Sequence, residues 1–307
     1  MITFFTTCKD FARAEHNAIN SWLALNKLTE VLVFTEGKQL VSCIDPKRIT
    51  YKHISGKHPT GLPLLNALFE EASKGSKFDI LCYCNSDIIL LPDFLERIKP
   101  VLKLNYPFLA VSQRIDVHIG TDMDLTNEEC VVQLKQVMVS EGKIHPPLGS
   151  DVFVFPKFQY SQQTMPPLVV GRPGWDNWML YDARKRFNKL INFTGDYPAI
   201  VHQDHLNRYD SKNVKDQINM KYLPKSDQYT FVLSYCNYNV RNGKIKKVKT
   251  YEKDLTRIRW EIRFNKSNNV FRNFYLFILL SNLVIQSTIK KAVKKINALS
   301  HLTKPVS

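Results

Sequence analysis

Apolar positions change period along the first part of the chain. Residues 2–7 and 31–34 are continuous apolar or β-branched runs of strand length, and the 10–25 stretch between them sets Ala12, Ile19, Trp22 and Leu23 on one side of a helix. Strand, helix, strand in quick succession predicts a βαβ unit and a parallel sheet. A weaker alternating segment at 45–55 and a helix at 64–73, introduced by Gly61-Leu62-Pro63, lead into residues 78–92. There an apolar strand, Ile80-Leu81-Cys82-Tyr83-Cys84, runs into a polar tip holding Asn85 and Asp87, and a second apolar segment leaves it. Strands buried on both faces are continuously apolar, and ligands of open α/β sheets gather outside their carboxyl ends, so this tip is the first place to look for chemistry.

Further along, a helix is expected at 94–102 and a strand at 107–112, which closes the parallel half near residue 115. Residues 116–147 are polar apart from a helix at 127–139. A short strand at 151–156 ends on proline, a helix at 176–187 opens on an acidic residue as helix N-termini favour, and a last short strand covers 199–202. After residue 207 Tyr, Asn and Lys become frequent, and 231–235 is at most a marginal strand. Residues 273–299 read as one long helix, apolar in its first half and amphipathic with interleaved lysines in its second. The expected organisation is a domain at 1–207 and a basic extension at 208–307.

Composition supports a soluble globular chain: 307 residues, 44% hydrophobic and 23% charged, fit one α/β domain with an appendage and exclude a disordered one. The net charge of +15 is concentrated, since 16 Lys/Arg against three Asp/Glu from Arg241 onward leave the body nearly neutral. A nucleic-acid binder working through that tail is therefore the lesser reading, and no nucleic-acid partner is expected. The first residues carry no basic run followed by a long apolar segment, so no secretion signal is expected, and a cytoplasmic location follows. The six cysteines are scattered without paired spacing, which predicts reduced thiols and not a disulfide frame or zinc site.

Three groups of residues could carry chemistry. Asp87, beside Asn85 at a strand end, is placed to hold a divalent ion and through it a diphosphate, although an Asp in such a turn is often purely structural. In Gly171-Arg172-Pro173-Gly174-Trp175-Asp176-Asn177-Trp178 a tight turn delivers Asp176 to a helix start between two tryptophans. Aromatic faces suit sugar rings and a carboxylate beside them can take a hydroxyl proton, while the plainer alternative is a helix cap with two core anchors. In Val201-His202-Gln203-Asp204-His205, two histidines at a strand end are possible metal ligands, against a satisfied histidine in either position.

Taken together, the order Asn85-Ser86-Asp87, the 149–156 stretch Gly-Ser-Asp-Val-Phe-Val-Phe-Pro, the 171–178 segment and Val-His-Gln-Asp-His resembles the GT-A fold glycosyltransferases of the family 2-like kind. Phe5-Thr6-Thr7-Cys8-Lys9 and the 17–25 stretch are similar to that group's nucleotide-binding start. The resemblance spans residues 1–207. It implies an α/β fold of GT-A type, Rossmann-like with a mostly parallel central sheet flanked by helices, followed by the C-terminal helical basic extension. It also implies a nucleotide-sugar donor and a glycan or lipid-linked glycan acceptor.

On that resemblance Asp87 matches the last carboxylate of the family's DxD motif and would coordinate Mn or Mg. His202 would complete the metal shell, with His205 as its substitute, and Asp176 would be the general base of an inverting displacement. Thr6 and Thr7 would lie near the nucleotide. Asn85 departs from the motif's first Asp and removes a charge, so the metal would bind weakly or be dispensable, with Arg114 or Arg172 neutralising phosphate instead, the alternative for Arg114 being a local carboxylate. Asp151, Arg172, Trp175 and Asn177 would face the sugar or the acceptor.

Two further expectations concern partners and competitors. The apolar stretch 274–285 is about 12 residues, short of the ~20 a spanning helix needs, so the C-terminal helix is expected to lie on an anionic membrane surface at the inner face, or to pack on the protein. The competing enzyme class, a sugar-phosphate nucleotidyltransferase, calls for a glycine-rich loop after the first strand, and Thr6-Thr7-Cys8-Lys9-Asp10 contains no glycine.

Overall fold

The computed structural model describes residues 1–248 apart from 38, 41–42, 148, 204–217 and 225–230. The first compact unit is Met1–Lys247. The helix expected at 273–299 and the membrane contact attached to it lie outside the described residues, as does His205.

Thirteen strands are described: β1 (Thr3–Thr7), β2 (Glu30–Thr35), β3 (Ile49–His53), β4 (Ile80–Cys84), β5 (Ile88–Leu90), β6 (Leu109–Val111), β7 (Ile115–Val117), β8 (Lys143–Ile144), β9 (Val152–Pro156), β10 (Leu190–Asn192), β11 (Ile200–Gln203), β12 (Tyr238–Arg241) and β13 (Lys244–Lys247). Five helices join them: α1 (Arg13–Ala24), α2 (Leu65–Gly75), α3 (Phe94–Ile98), α4 (Glu128–Ser140) and α5 (Trp175–Arg186). Nine strands form one sheet in the order β13-β12-β10-β6-β9-β4-β1-β2-β3, and β5-β11-β7-β8 form a second. In the large sheet most pairs are parallel, but β9 runs antiparallel to both of its neighbours, β4 and β6, and β13 is antiparallel to β12.

The continuous apolar runs are explained by two covered faces. Phe5, Leu32, Leu81, Tyr83 and Phe153 point to one side, where α2 and α5 pack through Leu68, Phe69, Met179 and Ala183. Phe4, Val31, Val33, Cys82 and Val154 point to the other, where α1 and α3 supply Ile19, Trp22, Phe94 and Ile98. Trp22 stacks on Phe4 and donates from its indole nitrogen to the Ile88 carbonyl at 2.8 Å, while Ser21 Oγ accepts from Leu90 N, so α1 ties β5 to the large sheet. The six thiols are free, as expected.

Several boundaries differ from the expectation for physical reasons. The sheet does not stop at residue 207: β12 pairs with β10 through Ile191 and Tyr238, and Val240 and Ile245 join the core, so the first unit runs on to Lys247. Residues 233–235, expected as a marginal strand, make a short 3-10 turn. The helix expected at 94–102 breaks at Pro100 into α3 and a 3-10 turn, and the polar 116–147 region contributes β8 and, at its start, most of β7.

Candidate active site

The register of β4 against β9 assembles the site. Cys84 lies opposite Val152, which sets Asn85 directly against Asp151. Asn85 N donates to the Asp151 carbonyl at 3.0 Å and Asn85 Nδ2 to Asp151 Oδ1 at 2.8 Å. Two residues on, the Asp87 carbonyl accepts from both the backbone N and the side-chain Nε2 of Gln203. Gln203 Nε2 also donates to the Ala14 carbonyl, and its Oε1 accepts from Asn17 Nδ2, so the tip is clamped between β11 and α1.

From Asp87 a chain of charges runs back to Asp151. His202 Nε2 lies 3.6 Å from Asp87 Oδ2, and its Nδ1 is 3.0 Å from Asp116 Oδ1. The other oxygen of Asp116 meets His145 Nδ1 at 2.7 Å. Arg114 donates from Nε to Asp116 at 2.9 Å and from Nη1 to Asp151. Arg114 is thus committed to local carboxylates, the alternative raised above for its role.

These contacts set the ionisation of the site. Burial pushes Asp116 upward, but hydrogen bonds from His145 and His202 and the Arg114 charge outweigh it and hold the carboxyl well below the usual range. Burial pulls His202 down, and its hydrogen bonds to Asp116 and Asp87 overcome that and raise it to about 9.

The donor set at this tip is of the kind that could take part in holding a divalent cation. A carboxylate oxygen and an imidazole nitrogen 3.6 Å apart make one corner of a coordination shell, and a second carboxylate on the far ring nitrogen fixes the tautomer that points Nε2 at the corner. Among the described residues no group of three or more acidic, His or Cys side chains is set to hold a metal. Hard divalent ions commonly take one or two protein donors and complete the shell with phosphate oxygens and water.

Asp176 occupies the first turn of α5, delivered by Gly174, whose φ is +95°. Its carboxyl faces the 149–151 stretch: a Cβ added to Gly149 would stand 3.6 Å from Asp176 Oδ2. The residue keeps some exposure, yet burial of its carboxyl pushes the pKa up to about 6, with nearby Asp151 adding to the rise against backbone N–H groups of Asn177 and Ser150. Asp151 is therefore the common neighbour of the Asp87 tip and of Asp176.

The chain resembles no family model, and none of the curated proteins matches it. Solved structures do overlap with it. TarS 1-349 of S. aureus in complex with UDP-GlcNAc aligns at a TM-score of 0.45 and 10% identity over 87% of this chain and 74% of that one. Glucosyl-3-phosphoglycerate synthase from Mycobacterium tuberculosis, in complex with Mn2+, UDP and phosphoglyceric acid, aligns at 0.37 and 15% over 76% and 78%. A mycobacterial protein aligns at 0.37 and 16% over 69% of each.

The other expected residues divide. Thr6 is buried within β1, and Thr7 ends that strand with its side chain bonded to Tyr83. Trp175 is corrected from sugar platform to core anchor, because its ring packs against Tyr83 and Phe153 and only 8% of the residue is exposed. Asn177 spends its amide on the Phe231 carbonyl at 2.8 Å, which makes it a tether for that segment. Arg172 is partly buried, and its carbonyl accepts from Asn219 Nδ2. Asp116, His145 and Gln203 went unforeseen: the first two lie in a stretch whose polarity suggested a loop, and Gln203 was hidden between two histidines.

Proposed function

We propose that the chain is a nucleotide-sugar-dependent glycosyltransferase that acts by direct, inverting displacement on a glycan or lipid-linked glycan acceptor. The observation that carries this is the position of Asp151, hydrogen-bonded to the Asp87 tip on one side and neighbouring a carboxyl raised to about 6 on the other. Such an arrangement separates two roles within one end of the sheet. A metal-binding corner takes a leaving diphosphate, and a base stands apart from it.

Asp87 and His202 would hold Mn or Mg, which supplies charge neutralisation for the departing diphosphate. Asp176, with a pKa near neutrality, accepts the proton of an acceptor hydroxyl as that oxygen attacks the anomeric carbon. Asp116 keeps His202 oriented, and Arg114 holds Asp151 in place. Thr7 and Asn85 border the donor, with Thr6 behind them in β1, and Asp151 and Arg172 border the acceptor. The basic stretch from residue 248 onward, with a helix at 273–299 on an anionic membrane surface, is the chain's proposed second part.

Incubation with a panel of nucleotide sugars, with and without Mn, tests the proposal. Slow metal-dependent donor hydrolysis is the expected result, abolished by Asp176→Asn with donor binding retained. A variant that keeps most of its rate removes Asp176 from the role of base.

A further inference from the structure

The β12–β13 hairpin forms one edge of the large sheet, and its cations are unbalanced. Arg241, Lys244, Lys246 and Lys247 are all exposed. Cross-strand register puts Arg241 against Lys244, and Asn239 against Lys246, so Arg241, Lys244 and Lys246 share a face. The opposite face carries Val240 and Ile245 into the core, with Tyr238 and Lys247 paired at its end.

Around Tyr238 a second set gathers from other elements. Lys189, just before β10, donates to the Tyr238 hydroxyl at 3.0 Å and lies over the Tyr238 and Tyr106 rings at 4.3 and 5.0 Å. Arg184, near the end of α5, covers the Tyr235 ring at 5.0 Å. Lys189 lowers the Tyr238 hydroxyl pKa, chiefly through that hydrogen bond, and Lys247 and Arg184 contribute. Among the described residues none of Arg184, Lys189, Arg241, Lys244, Lys246 and Lys247 is ion-paired with a carboxylate.

We propose that this edge is a docking surface for an anionic lipid bilayer approached edge-on along β13, with Lys189, Arg184 and Lys247 reaching headgroup phosphates around Tyr238 from one face and Arg241, Lys244 and Lys246 reaching them from the other. Three features favour a bilayer over a nucleic acid. First, Lys189 lies over the Tyr106 and Tyr238 rings and Arg184 over Tyr235, so these ring faces are taken up by cations instead of serving as platforms for bases. Second, a lysine ammonium held among tyrosine rings beside a tyrosine hydroxyl is a combination that suits the amphipathic headgroup zone.

Third, the sequence runs from Lys247 straight into residues 248–307, which hold 12 Lys/Arg against three Asp/Glu and an uncharged stretch at 273–289. Basic residues beside an apolar segment are the usual composition of a reversible membrane anchor. The inference shares the basic tail with the proposed function but uses no residue of the carboxylate site, so it can fail while the transferase reading stands.

The test uses the full chain and phosphatidylcholine vesicles with and without phosphatidylglycerol. Wild type is expected to float with the anionic vesicles only and to be released by high salt. Both the triple variant Arg241→Glu, Lys244→Glu, Lys246→Glu and the double variant Lys189→Gln, Lys247→Gln should bind about tenfold more weakly or worse, with donor hydrolysis and thermal midpoint retained. Failure of wild type to float, or flotation of both variants at the wild-type level, overturns the proposal. So does a loss confined to polyuridylate binding, or variants that self-associate without losing vesicle binding, in which case the lysines serve only to guard a sheet edge.

Discussion

Asn85 donates its side-chain amide to Asp151 at 2.8 Å, in the position where the resemblance to GT-A enzymes leads one to expect a carboxylate. An Asp there would face Asp151 with like charge. Asn85→Asp is therefore expected to lower stability by about 2 kcal/mol at pH 8 through the lost hydrogen bond and the repulsion. Added Mn should restore part of that loss. Equal denaturation midpoints for variant and wild type, with and without metal, would show the contact to be unimportant.

The Asp116 carboxylate holds the ring nitrogen of His202 that faces away from Asp87. Asp116→Asn removes the group that fixes the tautomer, and Mn affinity measured by calorimetry should fall about 10- to 100-fold, as for other second carboxylates behind metal-binding histidines.

His202 is raised to about 9, so at pH 7 its proton competes with a metal. Apparent Mn affinity should rise by up to about tenfold per pH unit between 7 and 9 and then level. The sign for stability without metal is the reverse. A histidine raised in the folded state contributes most below its ordinary value of about 6.5, and that contribution fades as pH climbs through about 9.

For Asp176 the raised value works against folding at higher pH. The folded protein holds this proton more tightly than the unfolded chain, so stability falls as pH rises from the ordinary 3.8 through about 6 and is flat above. Activity runs the other way, because the base acts when deprotonated: kcat/KM should climb through an acid limb near pH 6. A pH–rate profile without that limb would assign the proton to another group.

Gly174 has φ +95° at the entry to α5, and a Cβ there would stand 2.6 Å from Met220 Sδ. Gly174→Ala should cost about 1–3 kcal/mol in thermal or denaturant unfolding and disturb the delivery of Asp176 two residues later.

Much of this was written in the chain's periodicity. Residues 78–92 announced a buried strand running into a polar tip, and Gly174 with Asp176 announced a turn into a helix, because both signals are local. What stayed hidden was long-range pairing. Nothing local in Val152-Phe153-Val154-Phe155 says that it enters antiparallel beside β4, yet that register brings Asp151 to Asn85. Asp116 and His145 escaped notice because β7 is three residues long and β8 two, too short for a period to be read. Trp175 was misjudged since an aromatic ring looks the same in sequence whether it faces a sugar or a core.

The most direct test is titration calorimetry of nucleoside diphosphates onto wild type and onto Asp87→Ala, with and without Mn. The account predicts that one nucleoside diphosphate binds wild type tightly only with Mn, and that Asp87→Ala loses the metal-dependent part. No binding of any nucleoside diphosphate, or binding equal in the variant, would contradict it.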